Sequence, residues 1–178
     1  MKQIPLGNGR FAMVDEEDYE YANQHRWFAE QHKHTTYAMS TLGEGQRTGL
    51  HTYLMEPSDD MEVDHKDRNG LNCTTVNMRL CTRRQNMFNR VRRNDTTGYR
   101  GVTETPSQGF KVQIRDAHGV RRYVGIFNSA QEAARAYDTA AVEYHGEFAT
   151  LNFPEEHPDG NDPETYSRRT ALRIAACV

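Results

Sequence analysis

The sequence predicts an α+β protein built from small antiparallel sheets, each accompanied by a helix. Three observations carry that reading. "FKVQIRDAHGVRRYVGIF" at 110–127 is two alternating runs around a turn, the pattern of a hairpin with one buried face. Directly after it, Ala130, Ala133, Ala134, Tyr137, Ala140, Ala141 and Tyr144 fall on one stripe at helical period. Between 61 and 90 the order reads strand, polar loop, strand, helix. Hydrophobic residues make up 36% of the 178 positions, and the mean hydropathy is -0.90. Two small modules with modest cores fit those totals better than one large domain.

Residues 1–60 form a β-rich N-terminal region. Positions 2–14 read as short strands broken at "GNG". Asp15 is placed to cap a short helix containing Tyr19 and Tyr21, with acids in its first turn. Residues 26–30, 35–41 and 47–54 alternate loosely around Trp27, Phe28, Tyr37 and Tyr53, and read as strands. His25, His32 and His34 lack acidic partners at ligand spacing and read as surface histidines. His51 stands closer to the segment that follows.

In 61–91, "MEVDH" is a strand and "KDRNGLNCTT" a turn-rich loop with Asn69-Gly70 as its sharp turn. "NMRL" is the second strand. Thr82 then caps a helix carrying Arg83, Arg84, Gln85, Asn86 and Asn89. A basic linker spans 92–97. The second module covers 98–154, with "YRGV" as a third strand and Ser129 as the cap of its helix. Phe110, Val112, Ile114, Val124 and Ile126 are expected to face that helix. Lys111, Gln113, Arg115, Arg121 and Tyr123 are expected on the free face, which is cationic and carries no acid. Residues 155–178 form a tail with a short helix, suited to packing or to a homodimer.

The net charge of -3 conceals a strong asymmetry. Residues 1–63 carry 5 basic and 11 acidic groups, 64–125 carry 13 and 5, and 126–178 carry 4 and 9. Six arginines and no acid lie between Arg79 and Arg93. Such a basic middle suggests a polyanion footprint, with nucleic-acid contact favoured over a merely solvated face. Cys73, Cys81 and Cys177 are three scattered thiols without a CxxC, so no zinc site and no disulfide is expected. No apolar run has the length of a membrane span and the N-terminus has no apolar signal core, so a cytoplasmic location is expected.

"VDHKDRNGLNCTTVNMRLCTRRQN" at 63–86 carries the candidate chemistry. Phosphodiester hydrolysis needs an activated water, a neutralised phosphate and help for the departing 3′ oxygen. A neutral imidazole such as His65 can take the water's proton. A hard divalent ion can stabilise the leaving oxygen and prefers oxygen ligands. Asp64 and Asn86 offer such oxygens. Neighbouring strand residues point to opposite faces, so Asp64 and His65 meet one phosphate only where the strand ends or bulges. On periodicity alone His65 is equally a base or a satisfied surface histidine.

The order Asp64-His65, Asn77 twelve residues on and Asn86 nine further resembles the HNH endonucleases of the ββα-metal fold, in the branch with asparagine as the last motif residue. That resemblance implies a homing-type, phage or bacterial nuclease needing Mg²⁺ or Mn²⁺. It implies His65 as general base, Asp64 and Asn86 as metal ligands, and Asn77 as the residue that pins the loop and orients His65. His51 aligns with a histidine preceding the motif, although Thr52 follows it where arginine is usual. "YRGV", "QIRD", "YVGIF", "AARAYDTAA" and "ATLNFP" resemble the Apetala-two/ethylene-response-factor DNA-binding domain. That likeness implies base contacts from Arg100, Gln113, Arg115, Arg121 and Tyr123, with Lys111 on the same face. Thr103 and Thr105 stand where plant members often carry arginine, and Tyr123 where they often carry tryptophan. Arg83, Arg84, Arg90, Arg92 and Arg93 would track phosphates. The expected protein is a metal-dependent HNH endonuclease that nicks duplex DNA. The alternative is a non-catalytic DNA-binding regulator on a retired HNH scaffold.

Overall fold

The structure is a computed structural model and describes residues 1–90, 94, 96–106 and 109–157. Contacts divide the chain into two compact units, 1–86 and 87–178. The architecture is α+β, with several small sheets. Arg92, Arg93 and the tail 158–178, with its expected helix, Cys177 and the homodimer surface, lie outside the described residues.

The first unit opens with an antiparallel hairpin, β1 (Lys2–Pro5) and β2 (Phe11–Val14). Ile4, Ala12 and Val14 turn inward from it. Helix α1 (Glu16–Ala22) follows. Asp15 does not cap it with its side chain. Its Oδ2 instead accepts the backbone N–H of Thr75 at 2.7 Å, which holds its carboxyl below the usual range. Strands β3 (Phe28–Gln31), β4 (Thr36–Leu42) and β5 (Gln46–Gly49) form an antiparallel sheet in that order. The strand expected at 47–54 stops at Gly49, and Leu50–Met55 is a helix, α2. Leu50, Tyr53 and Leu54 sit at helical spacing, and all three join the core.

The loop-rich segment contributes β6 (Glu62–His65), β7 (Asn72–Cys73) and β8 (Met78–Cys81). β6 and β8 pair antiparallel, with Asp64 opposite Arg79 and His65 opposite Met78. β7 pairs parallel to β2, Val14 opposite Cys73. The N-terminal region and the loop segment therefore share one sheet and one core, which includes Trp27, Leu50, Cys73 and Met78. Helix α3 (Arg83–Phe88) is started by Thr82 as expected. Thr82 Oγ1 accepts from Gln85 N, and Gln85 Oε1 accepts from Thr82 N at 2.8 Å, a reciprocal capping box.

The second unit is a three-stranded antiparallel sheet of β9 (Val102–Thr105), β10 (Gly109–Arg115) and β11 (Arg121–Phe127), with β10 central. Helix α4 (Ala130–His145) covers one face, and the Ser129 hydroxyl accepts from Glu132 N at its start. Ala133, Ala134, Ala140 and Ala141 of the stripe are buried with Tyr137 against Val102, Val112 and Ile114. One expectation fails here. A bulge shifts the β10–β11 register between Val112 and Gln113, so Lys111 pairs with Ile126 and Phe110 with Phe127. Phe127 packs into the core in place of Ile126, and Ile126 is 38% exposed on the free face.

Asp138 staples the chain that leaves α4. Its carboxylate is fully buried and accepts Asn152 N, Asn152 Nδ2 and Phe153 N at 2.8 to 3.0 Å. Asn152 Oδ1 then accepts Arg100 N at 2.7 Å, tying the end of the unit to its beginning. Asp138→Ala strands three donors, and each unsatisfied buried group costs about 1–3 kcal/mol. A clearly lower melting transition for the second unit is expected in a thermal scan. An unchanged transition would show that the staple contributes nothing.

Candidate active site and nucleic-acid face

The polar loop between β6 and β8 has few apolar anchors, so hydrogen bonds hold its shape. The Asn77 carboxamide is the hub. Its Oδ1 accepts Asp67 N at 3.0 Å, and its Nδ2 donates to Asp67 Oδ1 at 2.9 Å and to Asn72 O at 2.7 Å. Asp67 also accepts from Asn69 N and from Asn72 Nδ2, each at 2.8 Å. The backbone turns twice, first over 65–68, where Arg68 has a φ of 64° and its N–H donates to His65 O at 2.8 Å, and then at the expected Asn69-Gly70, where Asn72 N donates to Asn69 O at 3.0 Å. Gly70 serves another purpose. A Cβ there would lie 2.6 Å from the Thr36 carbonyl and 2.5 Å from the Tyr37 ring. Its absence lets the loop lie directly on β4, where Gly70 N donates to Thr35 Oγ1.

β6 ends at His65, and Asp64 and His65 are both 5% exposed. The two leave opposite faces of the strand. On one face Arg79 donates to Asp64 Oδ2 through Nε at 2.9 Å and Nη2 at 2.7 Å. Two positions back on that face, Glu62 Oε2 accepts from Asn86 Nδ2 at 2.8 Å. α3 thus carries Asn86 back to β6, with its amide nitrogen donating to Glu62. Asp64 and Asn86 each carry an oxygen of the hard kind that a Mg²⁺-type ion takes, Asp64 paired with Arg79 and Asn86 with Glu62. Among the described residues no group of three or more His, Cys, Asp or Glu is arranged to hold a metal.

On the other face His65 sits among rings and a thiol. Its Nε2 is 3.9 Å from Cys73 Sγ. The ring centroids of His51 and Tyr37 lie 5.1 and 5.9 Å from its own. Burial lowers the His65 pKa against the opposing pull of Asp67 and Asp64, so the ring is neutral near pH 7. Burial and the neighbouring His65 push His51 down to about 4. The Cys73 thiol, raised to about 12 by burial, is an inert packing group. Cys73 and Cys81 are both free and buried. His25, expected on the surface, donates or accepts with Tyr53 Oη at 3.1 Å and meets Trp27 edge-on. Tyr37, Glu62 and Arg79 are part of this region without standing out in the sequence. Only the hairpin register, which sets Asp64 opposite Arg79, would have signalled one of them.

In the second unit the free sheet face carries Lys111, Gln113 and Arg115 on β10, with Arg121 and Tyr123 on β11. Tyr123 is 61% exposed. A hollow of about 270 Å³ opens there, lined by Gly101, Thr103, Lys111, Gln113, Ile114, Arg115 and Arg121. Asp116 closes the hairpin turn by accepting His118 N and Val120 N, both at 2.9 Å, and it pairs with Arg122 at 2.8 Å. That pairing neutralises Arg122. Arg100, expected among the base contacts, is engaged within its own unit. Its guanidinium donates to Tyr137 Oη at 2.8 Å, to Phe88 O at 3.0 Å and to Arg90 O. Arg83, Arg84 and Arg90 are exposed.

The family model for HNH endonucleases matches residues 55–88, which span β6 to α3. An uncharacterized HNH endonuclease of Acanthamoeba polyphaga mimivirus is 31% identical over 151 residues, 82% of this chain and 76% of that protein. Ethylene-responsive transcription factor 1 of Solanum lycopersicum is 46% identical over 69 residues, 37% of this chain. Ethylene-responsive transcription factor 3 of Nicotiana tabacum is 40% identical over 81 residues, 39% of this chain. The chain spans only 28% and 36% of those two plant proteins. No solved structure gives a significant match. Identity across most of both chains to the viral protein, with the loop-and-helix segment matched by the family itself, shows that this chain belongs to the HNH endonuclease family and carries an Apetala-two/ethylene-response-factor-like region.

Proposed function

We propose that the protein is a divalent-metal-dependent DNA endonuclease that nicks one strand, with His65 as general base. The observation that carries this is a neutral, buried imidazole at the last residue of β6, on a loop held by Asn77, with the oxygens of Asp64 and Asn86 across the same strand. His65 accepts the proton of the attacking water. Asn77 holds the turn that follows His65. Asp64 and Asn86 would hold the ion, which when bound supplies Lewis-acid stabilisation of the departing 3′ oxygen. Arg83, Arg84 and Arg90 are exposed cations suited to phosphates, the sequence-independent part of the affinity. Lys111, Gln113, Arg115, Arg121 and Tyr123 supply the duplex-facing surface, and an arginine there can read guanine through two hydrogen bonds.

A second reading has one observation in its favour. Arg79 already neutralises Asp64 in a buried pair, their side chains 10% and 5% exposed. Breaking such a pair from one side costs about 3–5 kcal/mol. A protein that keeps Arg79 on Asp64 permanently would be a DNA-binding regulator on a retired scaffold.

Supercoiled plasmid with Mg²⁺ separates the two. The enzyme converts it to open circles, EDTA stops the reaction, and His65→Ala lowers the rate by on the order of 10²–10⁴ at unchanged DNA affinity. Intact plasmid under Mg²⁺ and Mn²⁺ alike would leave only the regulator.

Arg115→Ala with Arg121→Ala tests the sheet face. DNA retention is expected to fall on the order of 10-fold or more, with a shallower salt dependence and an unchanged melting temperature. Equal retention at every salt concentration would remove this face from the account.

A further inference from the structure

We propose that Tyr37 and His51 are positioning residues for His65, two rings that bracket its imidazole and set its orientation at the end of β6. The inference deepens the reading of His65 as general base and rests on it. Neither bracket residue lies in the matched stretch 55–88. Tyr37 comes from the face of β4 opposite the buried Ala38 and Ser40, and His51 from the start of α2.

The three rings close a triangle. Centroid separations are 5.1 Å for His51–His65, 5.2 Å for Tyr37–His51 and 5.9 Å for Tyr37–His65, with interplanar angles of 72°, 46° and 49°. Those are the tilted and edge-on arrangements that ring quadrupoles favour. Each bracket ring has a glycine seat. A Cβ on Gly49 would lie 2.5 Å from the His51 ring, and one on Gly70 would lie 2.5 Å from the Tyr37 ring. Two close approaches of backbone to ring, on two different elements, converge on one imidazole.

Among the described residues the buried His51 Nδ1 atom has no hydrogen-bond partner. An unsatisfied buried nitrogen calls for a reason. Ring packing against His65 is that reason, because the contact needs the flat ring and makes no use of this nitrogen. Burial also keeps His51 uncharged, so it packs against His65 without like-charge repulsion. A general base works only from one geometry, and a displacement of about 1 Å can cost on the order of 10² in rate. The bracket limits how far the His65 ring can turn.

The test compares His51→Phe and Tyr37→Phe, which keep a ring, with His51→Ala and Tyr37→Ala, which remove it. Full-length protein is assayed on plasmid with Mg²⁺ at saturating DNA, alongside DNA affinity and melting temperature. The phenylalanine variants are expected to cut within a few-fold of wild type, and the alanine variants to lose on the order of 10² in rate at unchanged DNA affinity. His65 imidazole resonances, recorded by NMR without metal, are expected to be shifted by ring currents in wild type and both phenylalanine variants. They are expected to move toward free histidine in the alanine variants. This arm needs no activity, so a wild type that cuts nothing overturns the function and leaves the bracket to be decided by the NMR shifts. The proposal is overturned if His51→Phe is as slow as His51→Ala, since that assigns the role to a ring nitrogen. It is equally overturned if the alanine variants cut at the wild-type rate or leave the His65 resonances in place. Where an alanine variant melts below the assay temperature, the phenylalanine variant decides, and a slow folded one overturns it.

Discussion

A chain with so little apolar residue between β6 and β8 has one way to hold a rigid loop there, which is to saturate it with hydrogen bonds. Asn77 does this with three bonds from one carboxamide, joining Asp67 at the start of the loop to Asn72 in its middle. The N-terminal region then grips the loop from two sides. Met13 N donates to Leu71 O at 2.8 Å and Asp15 accepts from Thr75, while Thr35 accepts from Gly70. The β-rich region therefore supports the HNH segment, and His65 stands at the edge of the supported loop.

The alternation of side chains along β6 divides the chemistry between two faces. One face is polar, with Glu62, Asp64, Arg79 and Asn86 linked in pairs. The other is aromatic, with His65 against Tyr37, His51 and Cys73. On the first face a guanidinium pairs with a carboxylate, and on the second burial lowers the imidazole's pKa by penalising its cation.

Local periodicity made much of the architecture legible. The alanine stripe of α4, the hairpin of β10 and β11, the strand before His65 and the Thr82 cap each depend on a few neighbouring residues, and each appears where expected. What the sequence conceals depends on distant partners. Asp15 looks like a cap, but Thr75 claims it sixty residues away. Residues 50–55 alternate loosely enough to pass for a strand, yet burying Leu50, Tyr53 and Leu54 together requires a helix. A bulge of one residue exchanges Ile126 for Phe127 in the core, and no composition signal announces it. Tyr37 reaches His65 only because Gly70 lets a loop lie on β4, and Arg100 is drawn away from its expected role by carbonyls at the end of α3.

The account stands on Asp64 and Asn86 sharing one cation across the strand from His65. Crystals of the protein soaked in Mn²⁺, with anomalous scattering recorded at the metal edge, test that directly. One peak bonded to a carboxylate oxygen of Asp64 and the carbonyl oxygen of Asn86, with Arg79 moved off Asp64 or sharing it, is the predicted result. A map without such a peak, in which Arg79 keeps its hold on Asp64 at saturating Mn²⁺, would contradict it.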